Sequence, residues 1–205
     1  MKIFSFTLGL ILTSGIVFSQ SEVDQKPTKH QQNQSLMSHS SADSDTIFTP
    51  TDLKFLKYSL DLAEEALEAG DQPFGSILVN AENDIIAEAR NRINEKNVLA
   101  HPEIELAEWA IENLSLEERQ QTKMYTTGEH CPMCAGAHAW AQIGGLYYLS
   151  SAKQLGKWLN EFGVDSAPIE FIPAEEIVKN AIIKGPTKGE MLMEIKQMHK
   201  SYYQD

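Results

Sequence analysis

The chain has 205 residues and 42% of them are apolar, enough for one domain with a real core plus tails. Asp and Glu number 29 against 17 Lys and Arg, a formal net charge of −12, which argues against the basic track a polynucleotide substrate needs and leaves a small base or nucleoside open. The two cysteines, Cys131 and Cys134, lie together in CPMC, so no disulfide framework is available.

Residues 1–20 read as a signal peptide: Lys2 supplies the positive start, an apolar run extends from Ile3 to Phe18, and small residues follow at Ser19 and Ser21. The run is short for a membrane span and is diluted by Ser, Thr and Gly, so the expectation is export to the periplasm or the medium with no stable membrane association after cleavage. Residues 21–48 are Ser, Gln, Asp, His and Lys with few apolar side chains, the composition of a disordered linker, and His30 and His39 fall in it as solvated residues. The folded domain is expected over 49–205.

Leu53, Leu56, Leu60, Ala63 and Leu67 recur at helical spacing, with Thr49 or Thr51 to cap the start and Gly70 to close the pattern. The run Ile77–Val79 in DQPFGSILVN predicts a buried strand, AEND a turn, and IIAEARN a second strand pairing back as a hairpin. A helix is expected from His101 to about Asn113, with Pro102 in the first turn, where its missing N–H does no harm. SLEER reads as a capping box with Ser115 and Glu118 paired. KMYTT then forms a strand, a helix runs through Ala135–Gln142, and LYYLS makes the fourth strand. SAKQLGKWLNEF is helical, IEFI (residues 169–172) is expected as the fifth strand, and an amphipathic helix covers about Lys188 to Tyr202. Such alternation predicts a sheet with helices on both faces.

Chemistry concentrates in two segments about thirty residues apart. LAHPEIELAEWA carries His101 and Glu103, and YTTGEHCPMCAGAHAW carries Cys131 and Cys134. One imidazole and two thiolates suit Zn²⁺ and leave a fourth position for water. Glu103 is not needed as a ligand and stands close enough to handle the protons of that water. Bound zinc would also hold the CPMC sulfurs as thiolates in an oxidising compartment. The pattern H-x-E with P-C-x-x-C is the signature of zinc deaminases of nucleobases, and this chain departs from it at one flank, where His130 replaces the Pro.

On these residues the chain resembles the cytidine-deaminase superfamily, in its guanine-deaminase, cytosine-deaminase and tRNA-adenosine-deaminase branch. PFG-S-I-L-V, ARNR, A-H-x-E and YTT-x-E-x-CPMC-x-G-A carry the resemblance, which runs from about Thr51 to Ser150 and fades beyond. It implies a three-layer α/β/α domain with a five-stranded mixed sheet, usually a homodimer or larger. It implies His101, Cys131 and Cys134 as ligands of Zn²⁺, Glu103 as proton shuttle, Asn91 as the residue holding the base, and Phe74 and Trp140 as substrate-binding walls. The implied reaction is hydrolytic deamination of a free nucleobase or nucleoside, guanine-like purines first, in which zinc-activated water attacks an amidine carbon and ammonia leaves. The alternative is a cytosine or cytidine deaminase. Relatives place Ala or Gly between His and Glu, whose N–H can face the substrate; Pro102 has none, which weakens the cytosine reading.

Other readings stand beside these. CPMC alone fits a thiol-disulfide module, and the cluster could serve a non-catalytic zinc-bearing domain. Trp140 reads equally as core. His130 is either a neutral substitution or a pocket donor, and His138 reads as a packed core histidine. Glu129 is either a partner of the site or a helix N-terminal charge. Tyr202 and Tyr203 either pack on the domain or reach a neighbouring subunit.

Overall fold

The computed structural model describes residues 47–165 and 167–204, so the signal peptide expected at 1–20 and all but the last two residues of the linker expected at 21–48 lie outside the described residues. Of those two, Phe48 packs on the domain, its ring centroid 6.4 Å from that of Tyr147.

Helix α1 (Pro50–Glu68) opens on a capping box: the Thr49 hydroxyl accepts from the Asp52 amide, and the Asp52 carboxylate accepts from the Thr49 amide. It leads through Gly70 (φ +83°) into the hairpin β1 (Gly75–Val79) and β2 (Ile85–Arg90). Helix α2 (Pro102–Asn113) and the short α3 (Leu116–Gln121) precede β3 (Lys123–Gly128). Helix α4 (Pro132–Ala141) leads to β4 (Gly145–Ser150), then α5 (Ala152–Glu161), the single turn α6 (Ala174–Ile177), β5 (Ile182–Lys184) and α7 (Glu190–Gln204). The Ser115–Glu118 capping box stands at the start of α3 as its sequence predicts.

The sheet runs β2-β1-β3-β4-β5. Its first two pairings are antiparallel and its last two parallel, a mixed sheet of the expected strand number. Alternation sorts the strand side chains into two layers. Ile77, Val79, Tyr125, Tyr147 and Leu149 face α1, α5 and α7, meeting Leu56, Leu60, Trp158 and Ile195. Leu78 and Met124 face α2 and the end of α4, while Leu146 and Tyr148 meet Ala135, Ala174 and Val178. Gly75 is required where α1 crosses β1: a Cβ there would press on the Ser59 carbonyl and stand 2.6 Å from the Leu62 Cβ.

The fifth strand is not where IEFI places it. Residues 169–172 are irregular, with Ile169 and Ile172 exposed and Pro168 and Pro173 bracketing them, while β5 is the three-residue edge strand Ile182–Lys184. An edge strand hydrogen-bonded on one side only can be this short, and so it leaves almost no periodic signal.

Candidate active site

Both chemical segments start helices, and in both the residue the sequence singles out is the N-cap followed by proline. His101 caps α2 ahead of Pro102, and Cys131 caps α4 ahead of Pro132. Proline at the first helical position gives up an amide that would be orphaned anyway. Neither side chain caps the backbone amides of its own helix, and the two side chains face a common point. Cys134 follows one turn into α4.

His101 Nδ1 lies 3.5 Å from Cys134 Sγ and 3.9 Å from Cys131 Sγ, and the sulfurs are 3.5 Å apart. A tetrahedral zinc with bonds of ~2.3 Å to sulfur and ~2.05 Å to nitrogen would set those edges near ~3.5 Å for N···S and ~3.8 Å for S···S. The triangle therefore fits the ion in size as well as in donor type. Charge makes the same demand. The contact with Cys134, together with the hydrogen bond to His101, pulls Cys131 down to about 4, whereas the contact with Cys131, burial and Glu103 push Cys134 far up. Two thiolates and a buried carboxylate cannot all be ionised side by side without a cation; a divalent ion among them removes that conflict. His101 is raised by its bond to Cys131 against the opposing effect of burial. Among the described residues this is the one His/Cys/Asp/Glu group that converges like a metal site.

Glu103, on the first turn of α2, is buried beside the triangle. Its Oε2 accepts from Cys134 Sγ at 3.3 Å, and its Oε1 accepts from the Thr126 hydroxyl at 3.1 Å and the Ser76 hydroxyl at 3.3 Å. Burial raises its pKa. Ser76 and Thr126 escape the motif reading. Their signal was a small hydroxyl side chain within a buried stretch of strand.

Asn91 is fully buried at the end of the hairpin. Its amide N–H donates to the Phe74 carbonyl at 2.9 Å, and its Oδ1 accepts from the Ile93 amide at 3.1 Å. That leaves Nδ2 with no partner among the described residues, a donor awaiting an acceptor. Phe74, half-buried, lies against Gly128 at the end of β3, where an added Cβ would come within 2.9 Å of the ring. The structure thus brings His101, Cys131, Cys134 and Glu103 together and sets the Phe74–Asn91 pair on the hairpin loops beside Gly128, three residues before Cys131. It does not place Trp140 with them. That side chain is 88% exposed, six residues past Cys134 on α4 and so about 120° round the helix from it; neither wall nor core describes it.

His130 is buried with neither ring nitrogen partnered among the described residues, its ring edge-on to His138 at 5.2 Å. Burial, with His138 and His101 adding to it, pushes it well below the usual histidine range. His138 Nε2–H donates to the Ile143 carbonyl (3.1 Å), and the ring is a packed core residue, its pKa lowered by burial to about 4. Glu129 resolves differently from either expectation. Its two oxygens accept from the amides of Ala152 and Ala174, each at 2.9 Å, so it serves the first residues of α5 and α6 rather than α4.

Comparison with known proteins agrees with this geometry. The model of the MafB19-like deaminase family matches residues 51–185. A probable cytosine deaminase of Schizosaccharomyces pombe is 27% identical over 135 residues, 66% of this chain and 81% of its own length. The guanine deaminase of Bacillus subtilis is 36% identical over 96 residues, 46% of this chain and 61% of its own. A solved structure from work on A-to-I editing by tRNA:A34 deaminases aligns with a TM-score of 0.51 and 26% identity, over 71% of this chain and 99% of that one. The matched span contains every residue of the triangle, Glu103 and the hairpin loops, and on it this chain belongs to the MafB19-like deaminase family, within the cytidine-deaminase superfamily.

Proposed function

We propose that this deaminase is zinc-dependent and hydrolyses the exocyclic amine of a free nucleobase or nucleoside, with guanine-like purines first. The observation that carries the reading is the His101–Cys131–Cys134 triangle with Glu103 bonded to one of its sulfurs. A zinc ion held by those three residues would lower the pKa of its water toward neutrality. Glu103 would take a proton from that water and deliver it to a ring nitrogen as the oxygen adds to the amidine carbon. It would then carry the proton of the newly formed hydroxyl to the exocyclic amine, so that the carbon becomes a carbonyl, the C–N bond breaks, and ammonia leaves. The Ser76 and Thr126 hydroxyls hold one carboxylate oxygen so that the other faces the reaction. Asn91 Nδ2 offers a hydrogen bond to an acceptor on the base edge, and Phe74 forms a wall of the pocket.

Relatives acting on guanine and cytosine both support a free-base substrate. The cations beside the site loops support it too: Arg90 pairs with Asp71 and Glu95, Arg92 with Glu95, and Lys96 with Glu105, so carboxylates already claim the charges a phosphate backbone would use. Likeness to a tRNA:A34 deaminase over nearly all of that chain favours a second reading, adenosine in tRNA. A panel of guanine, cytosine, adenine, their nucleosides and a tRNA anticodon stem-loop, followed by ammonia release, decides between them. Release from a free base supports the first reading, release from the stem-loop alone supports the second, and zinc-loaded protein releasing none overturns both.

A homodimer is part of the reading. Met133, Gly136, Ala137 and Trp140 form an uncharged stripe at helical spacing on α4, half-buried to exposed. Trp140→Glu should convert the dimer to monomer in sedimentation, and a monomeric native protein would remove the dimer. Export through the signal at residues 1–20 also belongs to the proposal, and sequencing the amino terminus of protein recovered outside the cytoplasm tests it.

A further inference from the structure

Helix α7 lies outside the segments that carry the chemistry, yet its last two turns make three contacts with the loops that carry Phe74 and Asn91. The His199 ring, fully buried, meets the Phe74 ring edge-on at 4.9 Å. The Tyr203 hydroxyl accepts from Gln72 Nε2 at 2.7 Å, on the loop entering β1. The Tyr202 hydroxyl accepts from Asn94 Nδ2 at 3.1 Å, on the loop leaving β2. These contacts span more than a hundred residues of sequence and converge on both sides of one hairpin mouth.

The loops are already tied to each other. The Asn91 amide donates to the Phe74 carbonyl, and Asp71 accepts from the Asn94 amide at 2.7 Å and from Arg90 at 3.2 Å. Those bonds join loop to loop and, through Arg90 and the Asp71 amide on the Ala66 carbonyl (2.8 Å), tie the base of the mouth to β2 and α1; the far sides, at Gln72, Phe74 and Asn94, are where α7 makes its contacts. Helix α7 is itself anchored by Ile195 and Met198, buried in the core between α1 and the sheet. Neither nitrogen of His199 has a partner among the described residues, so what it gives Phe74 is the body of its ring.

We propose that α7 is the positioning element of the substrate loops: Tyr202, Tyr203 and His199 fix the hairpin mouth so that Phe74 and Asn91 meet the base in register with Glu103, while the metal triangle stands without them. The proposal rests on the deaminase reading of the site. It makes the three side chains positioning residues, since none touches the metal ligands.

The test is the double variant Tyr202→Phe/Tyr203→Phe in the full chain, which removes two hydroxyls and keeps both rings. Amide hydrogen exchange at Phe74, Asn91, Ile93 and Asn94 should quicken about tenfold while α2, α4 and the sheet stay protected. Zinc content should match the native protein. For whichever base of the panel the native protein turns over, KM should rise about tenfold with kcat within about twofold. Unchanged exchange in the two loops overturns the proposal, as does quickened exchange with unchanged KM, and so does loss of zinc together with the loops. A native protein that releases ammonia from nothing in the panel sinks the deaminase reading and the substrate half of the proposal, while the exchange measurement still decides whether α7 holds the loops.

Discussion

Ser76 and Thr126 stand directly opposite each other on the antiparallel strands β1 and β3, and their hydroxyls are bonded at 2.8 Å. Both also reach Glu103 Oε1, so the carboxylate is held by a rung of the sheet rather than by its own helix. Two hydroxyl protons are shared among these three contacts, so removing either group breaks the network and frees the carboxylate to turn. Ser76→Ala and Thr126→Val should each lower kcat about tenfold with little change in KM, because the proton shuttle and not the base loses its position. Steady-state kinetics on the active base checks this; a change confined to KM would contradict it.

Glu103→Gln keeps the shape and the bonds to Ser76 and Thr126 and removes the ability to carry a proton. It should retain zinc and lose activity by about a thousandfold or more. Metal analysis with a turnover assay reads both halves, and retained turnover removes Glu103 from the proposed role.

Cys134→Ser and His101→Asn each take away one corner of the triangle. Zinc should fall from stoichiometric to near background in both, and chelation of the native protein should lower its melting temperature, since the two sulfurs and Glu103 are then left facing each other. A melting temperature indifferent to chelator would mean that the cluster binds no structural or catalytic ion.

Burial holds His199 down at about 3, against 6.5 for the unperturbed ring. Its folded value is depressed, so the unfolded chain takes up a proton first as the solution is acidified. The stability His199 confers is full above about pH 6.5 and declines as pH falls toward 3, at up to about 1.4 kcal/mol per pH unit. His199→Leu, close in volume and without the unpartnered nitrogens, should therefore lose less stability than the native protein between pH 7 and pH 4 in urea titrations. Parallel losses would show that His199 takes no part in the acid limb.

Gly75→Ala should destabilise the domain by about 2–3 kcal/mol, because the methyl group would meet backbone of α1 rather than a side chain able to turn away. Thermal unfolding measures it.

Much of this was legible from the chain. The capping box at Ser115, a threonine cap ahead of α1, the strand KMYTT and the cluster of His101, Cys131 and Cys134 all announce themselves through local spacing, and local spacing is what a sequence displays. Ser76 and Thr126 do not, because their meaning lies in register across two strands 50 residues apart. Trp140 misled for the opposite reason: a large aromatic near a motif looks buried, but the helical angle turns it outward. The expected strand at IEFI had apolar residues and no neighbour to pair with, whereas Ile182–Lys184 had a neighbour and almost no pattern.

Glu129 holds the amides that begin α5 and α6, and its own amide bonds the Ser150 carbonyl at 2.7 Å. The starts of α5 and α6 are thus tied to the segment that carries the two cysteines by one acidic residue two places before Cys131. A grafted tail would therefore have to present two backbone N–H groups at that separation and also refill the places of Trp158, Ala174 and Ile195, so chain length alone does not decide what can follow Ser150.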